Sequence, residues 1–265
     1  MNVREKSGVW LVGILSLALL ITTTSTLAQS GFDPVGAMQA ANRQYEAEHF
    51  AEAAAAYEAI LDRGLRHSDL FYNLGNAYFK QGDVGRAILN YRRAQRLNPR
   101  DPDIEANLAI ARGQTLDRFE GTSEGPLVRW VQTAEAWLTL NEAALLALAL
   151  WFLLAFCAGL AVFLPGWRRP LRRAMLVLAV LLGLGLISIA GRLYQEVRLP
   201  AAVILAPEVD VTSGPGSSEQ YLLQFSLHAG TEVYLIEERP GWRRIALPGD
   251  LQGWVPEDAV EAVID

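Results

Sequence analysis

The chain has 265 residues, a length that accommodates two small domains with connecting segments. Hydrophobic residues make up 51% of it and charged residues only 20%, which excludes an ordinary soluble domain and indicates that part of the chain lies in lipid. The formal net charge of -6 excludes a general nucleic-acid binder, because phosphate neutralisation requires a clustered basic surface.

The amino terminus has the pattern of a secretory signal. Arg4 and Lys6 precede the apolar run VWLVGILSLALLI, and the small residues Thr26 and Ala28 suit cleavage after Ala28. The run is short for a membrane span. We therefore predict a signal peptide over residues 1–28, with an uncleaved anchor as the alternative, and a mature chain outside the cytoplasm.

Residues 30–112 contain an internal repeat with a period of 34 residues. The aligned pairs are Phe50 with Val84, Ala53 with Ala87, Tyr57 with Tyr91, Ile60 with Ala94, and Asn42 with Asn76. The segment FYNLGNAYFKQGDVGRAILNYRRAQRLNP closely resembles the tetratricopeptide repeat family, which has this period. We predict an all-α solenoid of two repeats plus a capping helix, with Asp101 as its N-cap and Pro102 as its first helical residue.

Four residues of the second repeat are predicted to pack its two helices together. Gly75 and Ala87 are small enough to let the helices approach, and Tyr78 and Tyr91 fill the space between them. This packing would hold the second repeat in the tetratricopeptide form.

The repeat family also implies a place for partner binding. First helices line the concave surface, where extended peptides bind in that family, and Asn42 and Asn76 hold equivalent positions there. A carboxamide can both donate to and accept from a peptide backbone. We predict that these asparagines bind a partner; the alternative is that they are solvated or make local contacts.

Residues 113–142 join the repeats to the apolar part of the chain. The stretch GTSEGP is a linker by composition, and apolar residues recur at helical spacing from Leu127 to Leu138, including Trp130 and Trp137. Because tryptophans beside a span suit the headgroup region, we predict an interfacial amphipathic helix; a soluble core helix is the alternative.

Two apolar segments, residues 143–164 and 174–191, contain no charged residue. At about 1.5 Å per residue they reach about 33 and 27 Å, against a hydrocarbon core of about 30 Å. Their connection, residues 165–173, carries Arg168, Arg169, Arg172 and Arg173, and short arginine-rich loops stay in the cytoplasm. We predict a transmembrane hairpin in the cytoplasmic membrane with both soluble domains outside. The single cysteine, Cys157, is interpreted as a small packing residue of the first span.

Residues 198–265 change to short β-rich runs separated by glycine and proline turns. Gly241 with Trp242 and Gly253 with Trp254 resemble the glycine-tryptophan pairs of bacterial SH3 domains, which implies an all-β SH3-like barrel. In the wider SH3 family, Trp242 and Pro256 match positions that line a proline-peptide groove. The alternative is that Trp242 and Trp254 are core residues. Bacterial SH3 domains often contact cell-wall peptides, so the resemblance also implies peptidoglycan as a ligand.

The sequence contains no recognised catalytic motif. The three histidines are His49, His67 and His228, and His67 stands next to Ser68 and Asp69 in a turn, where the side chains would diverge. No nucleophile elbow, zinc-binding H-E-x-x-H or phosphate-binding loop occurs. We expect no enzymatic activity, no cofactor and no metal.

The order of these parts resembles the BatE-like proteins of the bacterial aerotolerance operon over nearly the full chain. The resemblance implies a membrane assembly with von Willebrand factor A-domain Bat proteins and a MoxR-type ATPase, associated with envelope or oxidative stress. We predict a membrane-anchored scaffold that binds partner peptides outside the cytoplasm. The alternative is a peptidoglycan sensor or regulator that acts through the SH3-like domain.

Overall fold

A computed structural model describes residues 32–117, 138–216, 220–247 and 251–264. The predicted signal peptide and most of the predicted interfacial helix lie outside these residues. The described residues from Ala37 onward form one unit.

Five helices lie within the described residues 32–117. They are α1 (Pro34–Glu46), α2 (Phe50–Leu61), α3 (Ser68–Lys80), α4 (Val84–Leu97) and α5 (Pro102–Gly113). Local sequence fixes their ends: Asp83 accepts from the backbone N–H of Arg86 at 2.9 Å at the start of α4. Asp101 caps α5, with Pro102 in the first turn, as predicted. These helices form a helical region of the tetratricopeptide kind.

Helices α3 and α4 approach each other closely at Gly75. A Cβ added to Gly75 would lie 2.8 Å from two ring carbons of Tyr91 and 3.3 Å from the carbonyl oxygen of Ala87. Tyr91 and Ala87 are fully buried, and Tyr78 is nearly so. The Tyr78 hydroxyl donates a hydrogen bond to the carboxylate of Glu58 on α2. Gly75, Ala87 and Tyr91 therefore meet between the two helices of this repeat, whereas the Tyr78 hydroxyl reaches back to the first repeat.

Two long apolar helices follow, α6 (Leu140–Phe163) and α7 (Arg168–Arg198), joined by a 3-10 turn at Pro165–Trp167. Both are long and apolar enough to cross a membrane, with mean hydropathies of 2.6 and 2.5 in their most apolar windows. Helix α6 begins before Ala143 because Thr139 and Glu142 form a capping box.

The predicted arginine loop, residues 165–173, is mostly helix. Arg168, Arg169, Arg172 and Arg173 occupy the first turns of α7 rather than a loop. Arginine is a good helix former, and Pro170 is tolerated in a first turn, where its missing N–H has no helical partner. The second apolar helix is therefore longer at both ends than the predicted span of residues 174–191.

The carboxy-terminal part is an antiparallel sheet. Its strands are β1 (Ala201–Ile204), β2 (Glu208–Thr212), β3 (Leu223–His228), β4 (Glu232–Arg239), β5 (Trp242–Ala246), β6 (Gln252–Pro256) and β7 (Val260–Ala262), in the order β3-β2-β6-β5-β4-β1-β7. Its core includes Ile204, Val211, Leu227, Ile245 and Val255, all fully buried. Closure of this sheet into an SH3-like barrel remains a prediction.

Candidate partner-binding groove

The first helices of the two repeats border a cavity of about 280 Å³. Its lining residues are polar or aromatic: Asn42, Tyr45, Glu46, Tyr57, Asn73 and Asn76. Both asparagines predicted to bind a partner are among them. We call this cavity the repeat groove.

In the first repeat, a tyrosine fixes the orientation of the Asn42 carboxamide. The hydroxyl of Tyr57 donates to Asn42 Oδ1 at 2.7 Å. The side-chain nitrogen of Asn73 approaches the same oxygen at 3.4 Å. The acceptor side of Asn42 is therefore occupied from within the domain, which is the local contact that the alternative interpretation predicted.

The second repeat has the same arrangement, shifted by one period. Tyr91 donates to Asn76 Oδ1 at 2.7 Å, and Asn107 Nδ2 donates to that oxygen at 2.9 Å. Asn107 also donates to the hydroxyl of Tyr72 at 3.0 Å. The network thus occurs twice, and its third member, Asn73 or Asn107, was not predicted as a functional residue. Asn73 and Asn107 lie one repeat period, 34 residues, apart, and this spacing is the sequence signal for their shared role.

The networks occupy the oxygens of the two carboxamides and leave their nitrogens as donors at the groove. Within the described part of the chain, neither Asn42 Nδ2 nor Asn76 Nδ2 has a hydrogen-bond partner. Both side chains are half-buried. The site therefore presents donors whose orientation is fixed by the tyrosines behind them.

The tyrosine hydroxyls stay protonated well above neutral pH. Burial, followed by the nearby Tyr45 and Glu46, raises the pKa of Tyr57 to about 12. Burial also raises the pKa of Tyr91 well above its usual value, with a smaller contribution from Tyr72. Each hydroxyl is thus a permanent donor under physiological conditions, and each asparagine oxygen remains its acceptor.

The sheet brings together the two residues predicted to line a proline-peptide groove. Trp242 on β5 pairs in register with Pro256 on β6, and both are half-buried. Trp254, by contrast, is buried, and the guanidinium of Arg239 lies 5.0 Å from the centre of its ring. A cavity of about 570 Å³ at this end of the sheet is lined by Leu205, Gly241, Arg243, Glu257, Asp258, Val260 and Glu261.

The described residues contain no group of three or more His, Cys, Asp or Glu side chains that could hold a metal ion. His67 accepts from the backbone N–H of Asp69 as the N-cap of α3. His228 lies far away in sequence and hydrogen-bonds to Asp117. The expectation that the chain has no catalytic or metal site remains a prediction.

Comparison with known proteins bears on the repeats. A tetratricopeptide repeat family model matches residues 38–102, the part of the chain that contains the repeat groove. No curated protein matches the chain. Tetratricopeptide repeats, together with the groove between their first helices, indicate a protein-protein interaction module.

Proposed function

We propose that the protein is a membrane-anchored scaffold whose repeat groove binds an extended segment of a partner protein outside the cytoplasm. The observation that carries the proposal is the orientation of Asn42 and Asn76. Their oxygens accept from Tyr57 and Tyr91, so their nitrogens remain as donors for a ligand in the groove that carries hydrogen-bond acceptors. The backbone carbonyls of an extended peptide are such acceptors.

Preorganisation favours binding at this groove. A carboxamide that is already held by a tyrosine loses little rotational freedom when it donates to a ligand. Because the same network occurs in both repeats, the groove offers two such donors on neighbouring helices. A single chain running across the first helices could therefore accept from both.

Membrane anchoring is supported by the two apolar helices. Large side chains along α6 and α7 are exposed, among them Leu145, Phe152, Phe156, Leu176, Leu184 and Ile187. Exposed apolar surface along two whole helices suits a hydrocarbon environment. The four arginines at the start of α7 favour a cytoplasmic turn, which would leave both soluble parts outside.

The resemblance to BatE-like proteins suggests the setting of this scaffold. We propose that it acts without catalysis, cofactor or nucleic acid in a bacterial envelope assembly. Its partners there would be von Willebrand factor A-domain Bat proteins and a MoxR-type ATPase. The carboxylate of Glu46 at the groove favours a partner segment with a basic side chain near the bound carbonyls.

The test is co-purification of partners with the full chain from membranes solubilised in mild detergent. Asn42→Asp with Asn76→Asp keeps an acceptor oxygen for each tyrosine but removes both donor nitrogens. Losing two hydrogen bonds of about 0.5 to 1.5 kcal/mol each weakens binding by about 5- to 150-fold. The control pair, Gln39→Glu with Asn141→Asp, adds the same charge at exposed positions outside the groove.

Full partner retention by the Asn42→Asp, Asn76→Asp protein would contradict the role of the groove. Hydrogen exchange across α1 to α4 establishes that the variant is folded. Identification of the retained proteins separates the proposed assembly from other partners.

The second candidate, peptidoglycan sensing, is favoured by one observation, the half-buried pair of Trp242 and Pro256 on neighbouring strands. In that case Trp242→Ala would abolish binding of the protein to cell-wall sacculi, and the asparagine changes would have no effect. Isolated cell-wall sacculi, sedimented with the detergent-solubilised protein, provide the measurement.

A further inference from the structure

Helix α4 is buried on two faces, whereas the corresponding helix of the first repeat is buried on one. Ala87 and Tyr91 face the repeat interior, and Gly85 and Ile88 are also buried. One period earlier, Ala51 aligns with the buried Gly85, and Ala55 aligns with the buried Leu89; both of these first-repeat residues are exposed, although Ala54, which aligns with Ile88, is buried. The second buried face of α4 therefore has a partner that α2 lacks.

That partner is the carboxy-terminal sheet. A Cβ added to Gly85 would lie 3.0 Å from the carbonyl oxygen of Ile204, at the end of β1. From the sheet side, a Cβ added to Gly230 would lie 3.0 Å from Ile88 and 2.7 Å from Thr115. Gly230 has φ +91°, so it provides both the turn and the close approach. The sheet and α4 therefore approach each other closely at two glycines, Gly85 on α4 and Gly230 in the carboxy-terminal domain.

Ion pairs surround this apolar contact. Arg112 on α5 donates to both carboxylate oxygens of Glu232 at 2.7 and 2.9 Å, and Arg92 lies 3.4 Å from the same carboxylate. Burial tends to raise the pKa of Glu232, but the hydrogen bond from Arg112 and the charges of Arg92 and Arg112 outweigh it and lower the pKa. The ionised carboxylate of Glu232 therefore attracts the arginines of the repeats and stabilises the contact between the two domains.

A third arginine covers an edge of the sheet. Arg93 donates to the carboxylate of Glu261 at 2.8 Å and to the carbonyl oxygen of Ala262 at 2.9 Å. It also donates to the carbonyl oxygen of Val263 at 3.3 Å. Strand β7 is an outer strand of the sheet, so this arginine occupies acceptors that an incoming strand would need.

The segment that follows α5 is hydrogen-bonded to the carboxy-terminal domain. Asp117 accepts from the backbone N–H of His228 at 2.6 Å, from its ring Nδ1 at 3.0 Å, and from the hydroxyl of Thr231 at 2.6 Å. Its side chain is 14% exposed, and all three bonds come from the end of β3 and the turn that follows it. Asp117 lies just before the segment that leads to α6. The start of that segment is thus fixed to the sheet.

We propose that the carboxy-terminal sheet is an intramolecular ligand of the repeats: it binds the outer face of α4 and α5 and fixes the chain at Asp117. The surface it occupies is the apolar face of Gly85 and Ile88 with its rim of arginines, and the acidic residues Glu232 and Glu261 complement that rim. The sheet thereby sets the position of the repeat groove relative to α6 and α7. This role goes beyond partner binding and does not depend on it.

The test cuts the connection and asks whether the parts stay together. A protease site introduced at Gly121–Gly125 in the full-length chain, purified in detergent, separates the repeats from the apolar helices and sheet once it is cut. We expect the two fragments to co-elute in size-exclusion chromatography. An Arg100→Ala background removes the ion pair between Arg100 and Glu142, so that this contact with α6 cannot account for co-elution.

Charge reversal identifies the surface. Arg112→Glu and Glu232→Arg, each alone, should lower the co-eluting fraction at least several-fold, and the double reversal should restore a large part of it. Lys80→Glu, an exposed change at the end of α3, is the matched control and should have no effect. Hydrogen exchange in α2 and α3 shows that each repeat fragment is folded.

Separation of the unaltered fragments on cutting would overturn the proposal. So would co-elution that survives Arg112→Glu, Glu232→Arg and Gly85→Leu alike, since the contact would then lie elsewhere. Neither result bears on the repeat groove, whose partner binding is measured on the uncut chain.

Discussion

The hydroxyl of Tyr91 donates a hydrogen bond to Asn76 Oδ1 at 2.7 Å, joining the second helix of a repeat to its first. Tyr57 and Asn42 form the same bond at the same length one period earlier. One contact thus serves two purposes: it ties the helices of a repeat together, and it occupies the asparagine oxygen so that the nitrogen is left as the donor. Changes at these positions separate the two purposes.

Replacing Asn76 by Ala leaves the buried hydroxyl of Tyr91 without its acceptor. We expect a local destabilisation of about 1 to 3 kcal/mol, the cost of an unsatisfied buried polar group. Tyr91→Phe, which removes the donor instead, should cost less because Asn76 Oδ1 keeps its bond from Asn107. Native-state hydrogen exchange of α3 and α4 in the full chain measures both. Equal effects of the two changes would contradict this assignment.

Gly75 tests the close packing of α3 and α4. In Gly75→Ala the new methyl group meets the buried ring of Tyr91 at 2.8 Å, and overpacking of this kind costs about 1 to 3 kcal/mol. Gly113→Ala is the control, because a Cβ there meets nothing within 4 Å and alanine favours the helix. Urea unfolding followed by circular dichroism should show loss for Gly75→Ala alone. An unchanged midpoint would mean that the two helices are not fixed at this distance.

The period of 34 residues was sufficient to predict the helical repeats and the equivalence of Asn42 and Asn76. It could not predict which atoms of these asparagines remain for a ligand, since that depends on where the hydroxyls of Tyr57 and Tyr91 point. The same alignment placed both tyrosines at equivalent positions, but helix packing explained them without a polar role. The donor character of the groove therefore emerges only from the structure.

The sequence did not predict the contact between the repeats and the sheet, and the reason differs from that for the asparagines. Arg112 and Glu232 are 120 residues apart, and each alone has the appearance of a solvated charge on an amphipathic element. Gly85 was the local signal, because the first repeat has Ala51 at that position.

Alkaline pH should loosen the first repeat through Tyr57. The pKa of Tyr57 is about 12 in the folded protein and about 10 in an unfolded chain, so the folded state holds its proton more tightly. The stabilisation is complete below pH 10 and is lost as the pH rises through 12. Unfolding midpoints between pH 8 and 12 measure this dependence. Tyr57→Phe should have a smaller slope above pH 10; an identical slope would exclude Tyr57 as its source.

The last prediction concerns the sides of the membrane. The contact of Arg112 with Glu232 requires the repeats and the sheet to share one compartment, and a membrane crossing by both α6 and α7, as we propose, would satisfy that requirement. In a Cys157→Ala background, cysteines at the exposed positions Lys80 and Asp258 should react with an impermeant maleimide in intact spheroplasts. A cysteine at Gly166, in the turn between α6 and α7, should react only after permeabilisation. Reaction at Gly166 with protection of the other two would invert the proposed orientation. Because the arginines at the start of α7 oppose export, replacing Arg168, Arg169, Arg172 and Arg173 by Gln should give a mixed population, with part of the chain labelled at Gly166→Cys.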